Sequence, residues 1–174
     1  TLITTNTSSN AASSSFTSGI DSTYKLYIFK FIDINPATDN EQFTFNGSTD
    51  GGSNYNVTKT TTLFGASNDE ADSATELTYE TGDDLAQSAT AARLTRAVGN
   101  LADESAAGTL WLFNPSNTTY VKHFYSRVNE YRGSSYSADN FGAGYFNTTS
   151  AINAVQFAMD SGNFDGTIKM YGVG

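Results

Sequence analysis

The segment from Ser22 to Ile34, STYKLYIFKFIDI, carries apolar side chains on both faces of an extended chain. A strand with one solvated face alternates apolar with polar residues. This segment therefore predicts a strand that is covered on both faces. The cover comes either from its own domain alone, or from its own domain on one face and a neighbouring subunit on the other. The two apolar sets are Tyr24, Leu26, Ile28 and Ile32 on one face, and Tyr27, Phe29 and Phe31 on the other.

Strand-like alternation recurs along the rest of the chain and predicts about eight or nine strands in all. The sequence GSTDGGSN between two of these segments has the residues of a hairpin turn. Frequent strands without repeated helical insertions predict an all-β fold, an antiparallel β-sandwich of the jelly-roll kind. The further segments are 41–46, 55–64, 75–81, 108–116, 119–131, 140–147, 150–159 and 167–173.

Two parts of the chain depart from this pattern. Residues 1–15 are small and polar after Leu2 and Ile3, which predicts an N-terminal arm or an edge strand. The domain division expected from this is an arm over 1–15 and a single β-sandwich domain over 16–174. Residues 85–98, LAQSATAARLTRAV, are the only helix-like stretch, but their many Thr and Ser residues also suit a strand after a turn. Any helix is expected to be confined to short turns there.

Composition supports the β interpretation and removes several classes of partner. Aromatic residues make up 13% of the 174 residues, while charged residues make up only 16%. The net charge is −9, with 9 Lys and Arg against 18 Asp and Glu, so the basic footprint of a nucleic-acid-binding protein is missing. No stretch approaches the roughly 18 apolar residues that a membrane-spanning helix needs. We therefore expect neither nucleic acid nor a membrane as a partner.

No set of residues predicts catalysis. The chain has no cysteine, which excludes disulfides, thiolate metal sites and cysteine nucleophiles. A catalytic triad would have to use His123, the only histidine, but the nucleophile-elbow pattern G-x-S-x-G does not occur. Sequence spacing does not establish a glycosidase carboxylate pair among the acidic residues. The expectation is therefore a protein that is not an enzyme and has no catalytic residues.

The run NDEADSATELTYETGDD, residues 68–84, holds seven of the 18 acidic residues. Clustered carboxylates can bind calcium, which makes Asp69, Glu70 and Asp72 a candidate Ca²⁺ site. The ordered pattern of an EF-hand loop is missing from the run, so a pair of solvated loops is the competing interpretation. No other cofactor is indicated.

Four tyrosines are candidates for a ligand site or an interface: Tyr55, Tyr79, Tyr131 and Tyr136. Tyrosine near Asn and Asp residues can stack on sugar rings, and Tyr131 and Tyr136 flank the loop sequence RGSS. The alternative for all four is an ordinary surface position. Trp111 lies inside the apolar sequence LWLF and is expected in the core.

Several long stretches resemble a family of small virion proteins of tailed marine phages, notably cyanophages and phages of other abundant marine bacteria. The resemblance covers Ser15 to Gly172 in order, and residues 69–101 resemble the family least. The stretches are SFTSGIDSTYKLYIFKFIDINP, FNGSTDGGSNYNVTKTTT, LFNPSNTTYVKHFYSRVNEY and GYFNTTSAINAVQFAMDSGNFDGTIKMYG.

This resemblance implies a structural component of the phage particle and supplies no catalytic residues. We accordingly expect a non-enzymatic protein on the exterior of the virion, in the role of a capsid decoration or cement protein on the head surface. The alternative is a receptor- or glycan-binding module of a tail or head fibre. The expected partners are other copies of the chain, other virion proteins and, in the alternative, a host surface glycan.

Overall fold

The computed structural model describes all 174 residues and is all-β, with twelve strands and no helix. No helix long and apolar enough to cross a membrane is present. In chain order the strands are β1 (Leu2–Ala11), β2 (Ser14–Phe16), β3 (Leu26–Pro36), β4 (Phe43–Ser48), β5 (Lys59–Asp69), β6 (Thr75–Tyr79), β7 (Ala92–Arg93), β8 (Ala106–Phe113), β9 (Lys122–Arg132), β10 (Tyr136–Phe146), β11 (Ala154–Met159) and β12 (Phe164–Val173).

The strands form two sheets of unequal size. The large sheet has eight strands in the order β1-β12-β3-β8-β9-β10-β5-β6, and the small sheet has four in the order β2-β11-β4-β7. Every pairing is antiparallel. These sheets confirm the predicted antiparallel β-sandwich, whereas the jelly-roll connectivity stays a prediction.

The first fifteen residues lie within the sandwich. β1 pairs along β12 at one edge of the large sheet, and β2 pairs with β11 at an edge of the small sheet. The terminal amino group of Thr1 donates a hydrogen bond to the Gly172 carbonyl, 2.8 Å away. Of the two alternatives that the sequence leaves open for this segment, the structure shows the edge strand.

A single cluster of 25 buried residues fills the space between the two sheets. Phe157 of β11 lies at its centre, because one face of that strand points at the large sheet across the sandwich. Its ring contacts phenylalanines from both sheets, with centroids 5.2 to 6.3 Å apart. These neighbours are Phe16, Phe29, Phe31, Phe43 and Phe45.

Strand β3 is covered on one face only. Tyr27, Phe29 and Phe31 are buried against the small sheet, as alternation along the strand requires. On the opposite face Ile28 is half-buried and Ile32 is 38% exposed. The sandwich itself therefore supplies the cover for one apolar face of this strand and leaves the other open.

Residues 85–98 form no helix; their one regular element is the short strand β7. Ala92 and Leu94 are both buried, which is the period of an extended chain, and the Leu94 amide donates to the Phe43 carbonyl of the small sheet, 2.7 Å away. Hydrogen bonds from Arg96 to two carboxylates also fix the position of this segment. The Arg96 guanidinium donates to Glu80, 2.5 Å away, and the amide of Arg96 donates to the buried carboxylate of Glu130, 2.8 Å away. Glu80 is itself buried, and this burial raises the pKa of its carboxyl group.

Two lysines are fully buried beside Phe146 of β10. Lys59 and Lys122 lie opposite this residue on the neighbouring strands β5 and β9. Their ammonium groups donate to loop carbonyls, that of Lys59 to Thr90 at 2.7 Å and that of Lys122 to Thr148 at 3.0 Å. Neither lysine takes part in an ion pair. Because burial penalises the charged form, it lowers the pKa of Lys59 to about 8.

Phe157→Ala tests the central position of this ring in the core. We expect the free energy of unfolding to fall by roughly 3–5 kcal/mol, the cost of a large cavity in a close-packed core. Urea unfolding followed by circular dichroism measures it, with Tyr120→Ala, at an exposed side chain, as the control. A loss no larger than that of the control would contradict the assignment.

Lys59→Met tests the cost of the buried charge. Between about pH 8 and the ordinary lysine pKa near 10.4, the unfolded chain binds a proton that the folded chain has released, so stability rises with pH. The difference in free energy of unfolding, wild type minus variant, should therefore increase by on the order of 2 kcal/mol from pH 8 to pH 10. Denaturant titrations at each pH measure it, with the exposed Lys25→Met as the matched control. A difference that does not change with pH would contradict the prediction.

Candidate functional site

The side of the large sheet that points away from the small sheet is its outer face. Neither sheet packs on this face, and the antiparallel pairing aligns its side chains in rows across the strands. One row, the aromatic row, runs from β12 to β5. It consists of Tyr171, Ile28, Trp111, Tyr125, Ala143 and Thr62.

The aromatic side chains of this face pack on one another rather than on a core. The ring of Tyr125 lies 5.0 Å from that of Trp111 and 5.3 Å from that of Phe113, yet Tyr125 is 47% exposed. The expectation that Trp111 lies in the core is wrong, because Leu110 and Leu112 are the residues of β8 that point inward. Exposed aromatics in contact form a rigid surface with a large apolar area.

The neighbouring row of the outer face, the basic row, carries three of the nine basic residues. Its members are Lys169, Lys30, Thr109, Arg127, Phe141, Phe64 and Tyr79.

Two of its lysines face each other without a counter-charge. Lys30 and Lys169 are direct partners across β3 and β12, and neither takes part in an ion pair. Like charges directly opposite each other destabilise a sheet. An anionic group from outside this pair would remove that cost.

The end of the basic row away from the two lysines is aromatic. Phe141 stacks on Phe64 with ring centroids 4.9 Å apart and planes at 4°. The Arg127 guanidinium lies 5.1 Å above the Phe141 ring and donates to Asp139, 2.6 Å away. That hydrogen bond raises the pKa of Arg127. Arginine over an aromatic ring is a common element of protein interfaces.

An acidic cleft of about 490 Å³ opens where β5 and β9 end and β10 begins. Tyr131 follows Arg127 and Asn129 on the outer face of β9 and reaches this cleft. Its hydroxyl donates to Glu70, 2.9 Å away, and this bond to a carboxylate raises the pKa of Tyr131. The cleft is lined by Asn68, Asp69, Glu70, Asp72, Asn129, Glu130, Tyr131 and Ser137.

The four tyrosines predicted as site residues do not form one site. Tyr131 lies in the acidic cleft, whereas Tyr136, across the β9–β10 turn, lies beside a separate depression with Glu76. Tyr79 belongs to the basic row, and its hydroxyl donates to Asp84, 2.7 Å away. Tyr55 lies in the connection between β4 and β5.

In the acidic run 68–84, one carboxylate is already hydrogen-bonded within its own loop. The Asp69 carboxylate accepts hydrogen bonds from the Ser73 side chain, 2.5 Å away, and from the amides of Ser73 and Ala74, which lower the pKa of Asp69. No group of three or more His, Cys, Asp or Glu side chains is arranged to hold a metal ion. The calcium site at Asp69, Glu70 and Asp72 stays a prediction. The single histidine, His123, is exposed, with its ring 6.0 Å from that of Tyr145.

Sequence reasoning predicted Tyr79 and Tyr131 of the outer face but missed its other aromatics, Phe64, Phe113, Tyr125 and Phe141, as candidate site residues. A signal for them was present in the sequence. GTLWLF has apolar residues at successive positions, and Phe124 and Tyr125 are consecutive aromatic residues of β9. Such patterns show that both faces are apolar, but they do not show which face the domain covers.

Comparisons with models of known families, with curated proteins and with solved structures found no match. The resemblance to phage virion proteins therefore stays an expectation from the sequence.

The double variant Trp111→Ser/Tyr125→Ser tests whether these residues form a surface rather than a core. We expect the variant to fold, with a loss of about 1–2 kcal/mol in the free energy of unfolding, since only the contact between the two rings and some partial burial are lost. Denaturant unfolding measures the loss at a concentration where both proteins are monomeric, with Phe29→Ala as the core reference. A loss as large as that of the reference would place the pair in the core.

Proposed function

We propose that this protein is a non-enzymatic structural component of a phage virion, a capsid decoration or cement protein on the head surface. One observation carries the proposal: no sheet packs on the outer face of the large sheet, which bears aromatic and basic side chains in contact. A protein of this kind acts through its surfaces, by binding neighbours in an assembly.

The composition of the outer face supports a protein partner. Trp, Tyr, Phe and Arg are enriched in protein interfaces and supply most of the residues that dominate binding energy. On this face Trp111, Tyr125, Phe141 and Arg127 occupy adjacent positions in the aromatic and basic rows, on the three neighbouring strands β8, β9 and β10. Contiguous exposed apolar areas larger than a few hundred Å² mark interaction sites in soluble proteins.

The virion assignment rests on the resemblance, which covers Ser15 to Gly172. An acidic β-sandwich suits a protein that is displayed to solvent on a particle. The net charge of −9 favours solubility at the high local concentration of a surface lattice.

The acidic cleft favours a second candidate, a glycan-binding module of a tail or head fibre. Amide and carboxylate groups of Asn68, Asn129 and Glu70 line it beside the Tyr131 ring, and such groups bond sugar hydroxyls. Its volume of about 490 Å³ is within the usual range of small-ligand sites.

Quantitative mass spectrometry of purified particles, combined with antibody labelling in electron cryomicroscopy, separates these two candidates. We expect a copy number comparable to that of the major capsid protein and label over the head. A small copy number with label at the tail or on a fibre would favour the glycan-binding module. Particles without the protein would contradict both.

A further inference from the structure

The free edge of the large sheet is the side of β6, Thr75–Tyr79, that points away from β5. β6 is the last strand of this sheet, so it pairs on one side only. Two hydrogen bonds just beyond its ends fix which residues face β5. The Asp69 amide donates to the Ala74 carbonyl, 3.1 Å away, and the Glu80 amide donates to the Leu63 carbonyl, 2.9 Å away.

Alternate residues of β6 turn their backbone groups to the free edge. In an antiparallel pair, residues that exchange hydrogen bonds alternate with residues that do not, so Glu76 and Thr78 bond to β5 in register with Ala74 and Glu80. The residues between them point their amides and carbonyls away from β5, and no other backbone bond of a turn or loop uses these groups. They are Thr75, Leu77 and Tyr79. Such a row of donors and acceptors is a template for one more strand.

This edge lacks the usual protection against further pairing. Soluble proteins protect sheet edges with bulges, very short strands, proline or lysine. The opposite edge strand, β1, has two register shifts against β12, and the edge strands of the small sheet, β2 and β7, have three and two residues. β6 pairs with β5 in an unbroken register and contains neither proline nor lysine. It instead presents Leu77 with 77% of its surface exposed.

The charge around the free edge is negative. Asp72 precedes β6, Glu76 lies within it and Asp84 follows it, and none of the three takes part in an ion pair. Arg132 shares a depression with Glu76 but is already paired with Glu130. A second copy of β6 would bring the same three carboxylates to this edge, whereas a basic strand would neutralise them.

We propose that the free edge binds an extended, basic segment of another protein, which joins the large sheet as an antiparallel strand beside β6. Backbone hydrogen bonds to Thr75, Leu77 and Tyr79 hold the segment, and its side chains give specificity. Because side chains alternate between the faces of a sheet, apolar residues of the segment lie beside Leu77 and Tyr79. Its basic residues lie on the opposite face, beside Glu76. The inference goes beyond the proposed function, since it names one edge and the chemistry of its partner.

Binding of the peptide KVKVKVK to the purified full chain, measured by isothermal titration calorimetry, tests the charge requirement. We expect binding that weakens with added salt and no binding of EVEVEVE. The variant Glu76→Gln/Asp72→Asn should raise the dissociation constant of KVKVKVK about fivefold, because two carboxylates beside the bound lysines are lost.

Leu77→Pro tests the backbone contact. The Leu77 amide takes no part in the ladder with β5, so the variant should fold as the wild type does, which circular dichroism checks. It removes one donor from the free edge, and we expect the dissociation constant of KVKVKVK to rise about tenfold. Leu77→Val keeps both the amide and an apolar side chain, and it is the control that should bind as the wild type does.

Methylated peptides test the pairing from the other side. In the antiparallel arrangement the valine amides of KVKVKVK point to β6 and the lysine amides point away. Methylation of the valine nitrogens should abolish binding, whereas methylation of the lysine nitrogens should leave it largely intact. A surface that only attracts positive charge does not distinguish the two peptides.

Four results overturn the proposal. They are no binding of KVKVKVK, equal binding of EVEVEVE, a Leu77→Pro variant that binds as tightly as the wild type, and equal binding of the two methylated peptides. A wild-type chain that self-associates and becomes monomeric on Leu77→Pro would make a second copy the occupant instead. All of these measurements use the purified chain, whereas the proposed virion role is tested on particles, so the two proposals fail separately.

Discussion

The packing of Phe157 between the two sheets is the interaction on which the rest of the structure depends. Its ring is in contact with phenylalanines of β2, β3 and β4, so one side chain links both layers of the sandwich. Because protein cores are packed as closely as organic crystals, the spacing and register of these strands are set together. The rows of the outer face follow from that register, since each inward phenylalanine on β3 fixes the outward direction of its neighbours.

The two-layer architecture leaves one side of the large sheet open. The small sheet packs on the other side only. The large sheet therefore exposes a second side that, in β3 and β8, is nearly as apolar as the first. A stable single chain tolerates this arrangement because the core is already closed. What remains is a broad, ordered surface whose side chains are held in place by strand pairing before any partner arrives, which lowers the entropic cost of binding.

Ionic groups secure the parts of the chain that strand pairing does not. The segment 80–98 has little regular structure. Ion pairs of Arg93 with Asp83, and of Arg96 with Glu80 and Asp83, join its two ends to each other. The amides of Arg96 and Ala97 donate to the Glu130 carboxylate of β9, which links the segment to the large sheet. The buried lysines Lys59 and Lys122, at the start of β5 and β9, donate hydrogen bonds to loop carbonyls. Burying their charge costs desolvation free energy. Lys30 and Lys169 take no part in these contacts and are unpaired charges on the open face.

The sequence by itself determined the all-β class, because alternation with period two is a local property of each segment. It also identified Tyr27, Phe29 and Phe31 as one face of a strand. It did not decide the fate of residues 1–15, because pairing with β12 joins positions about 160 residues apart. For the same reason it placed Trp111 in the core: the pattern LWLF is apolar on both faces, and only the packing of four strands against eight decides which face is covered. The outer face, where residues distant along the chain lie side by side, is therefore a product of the tertiary structure alone.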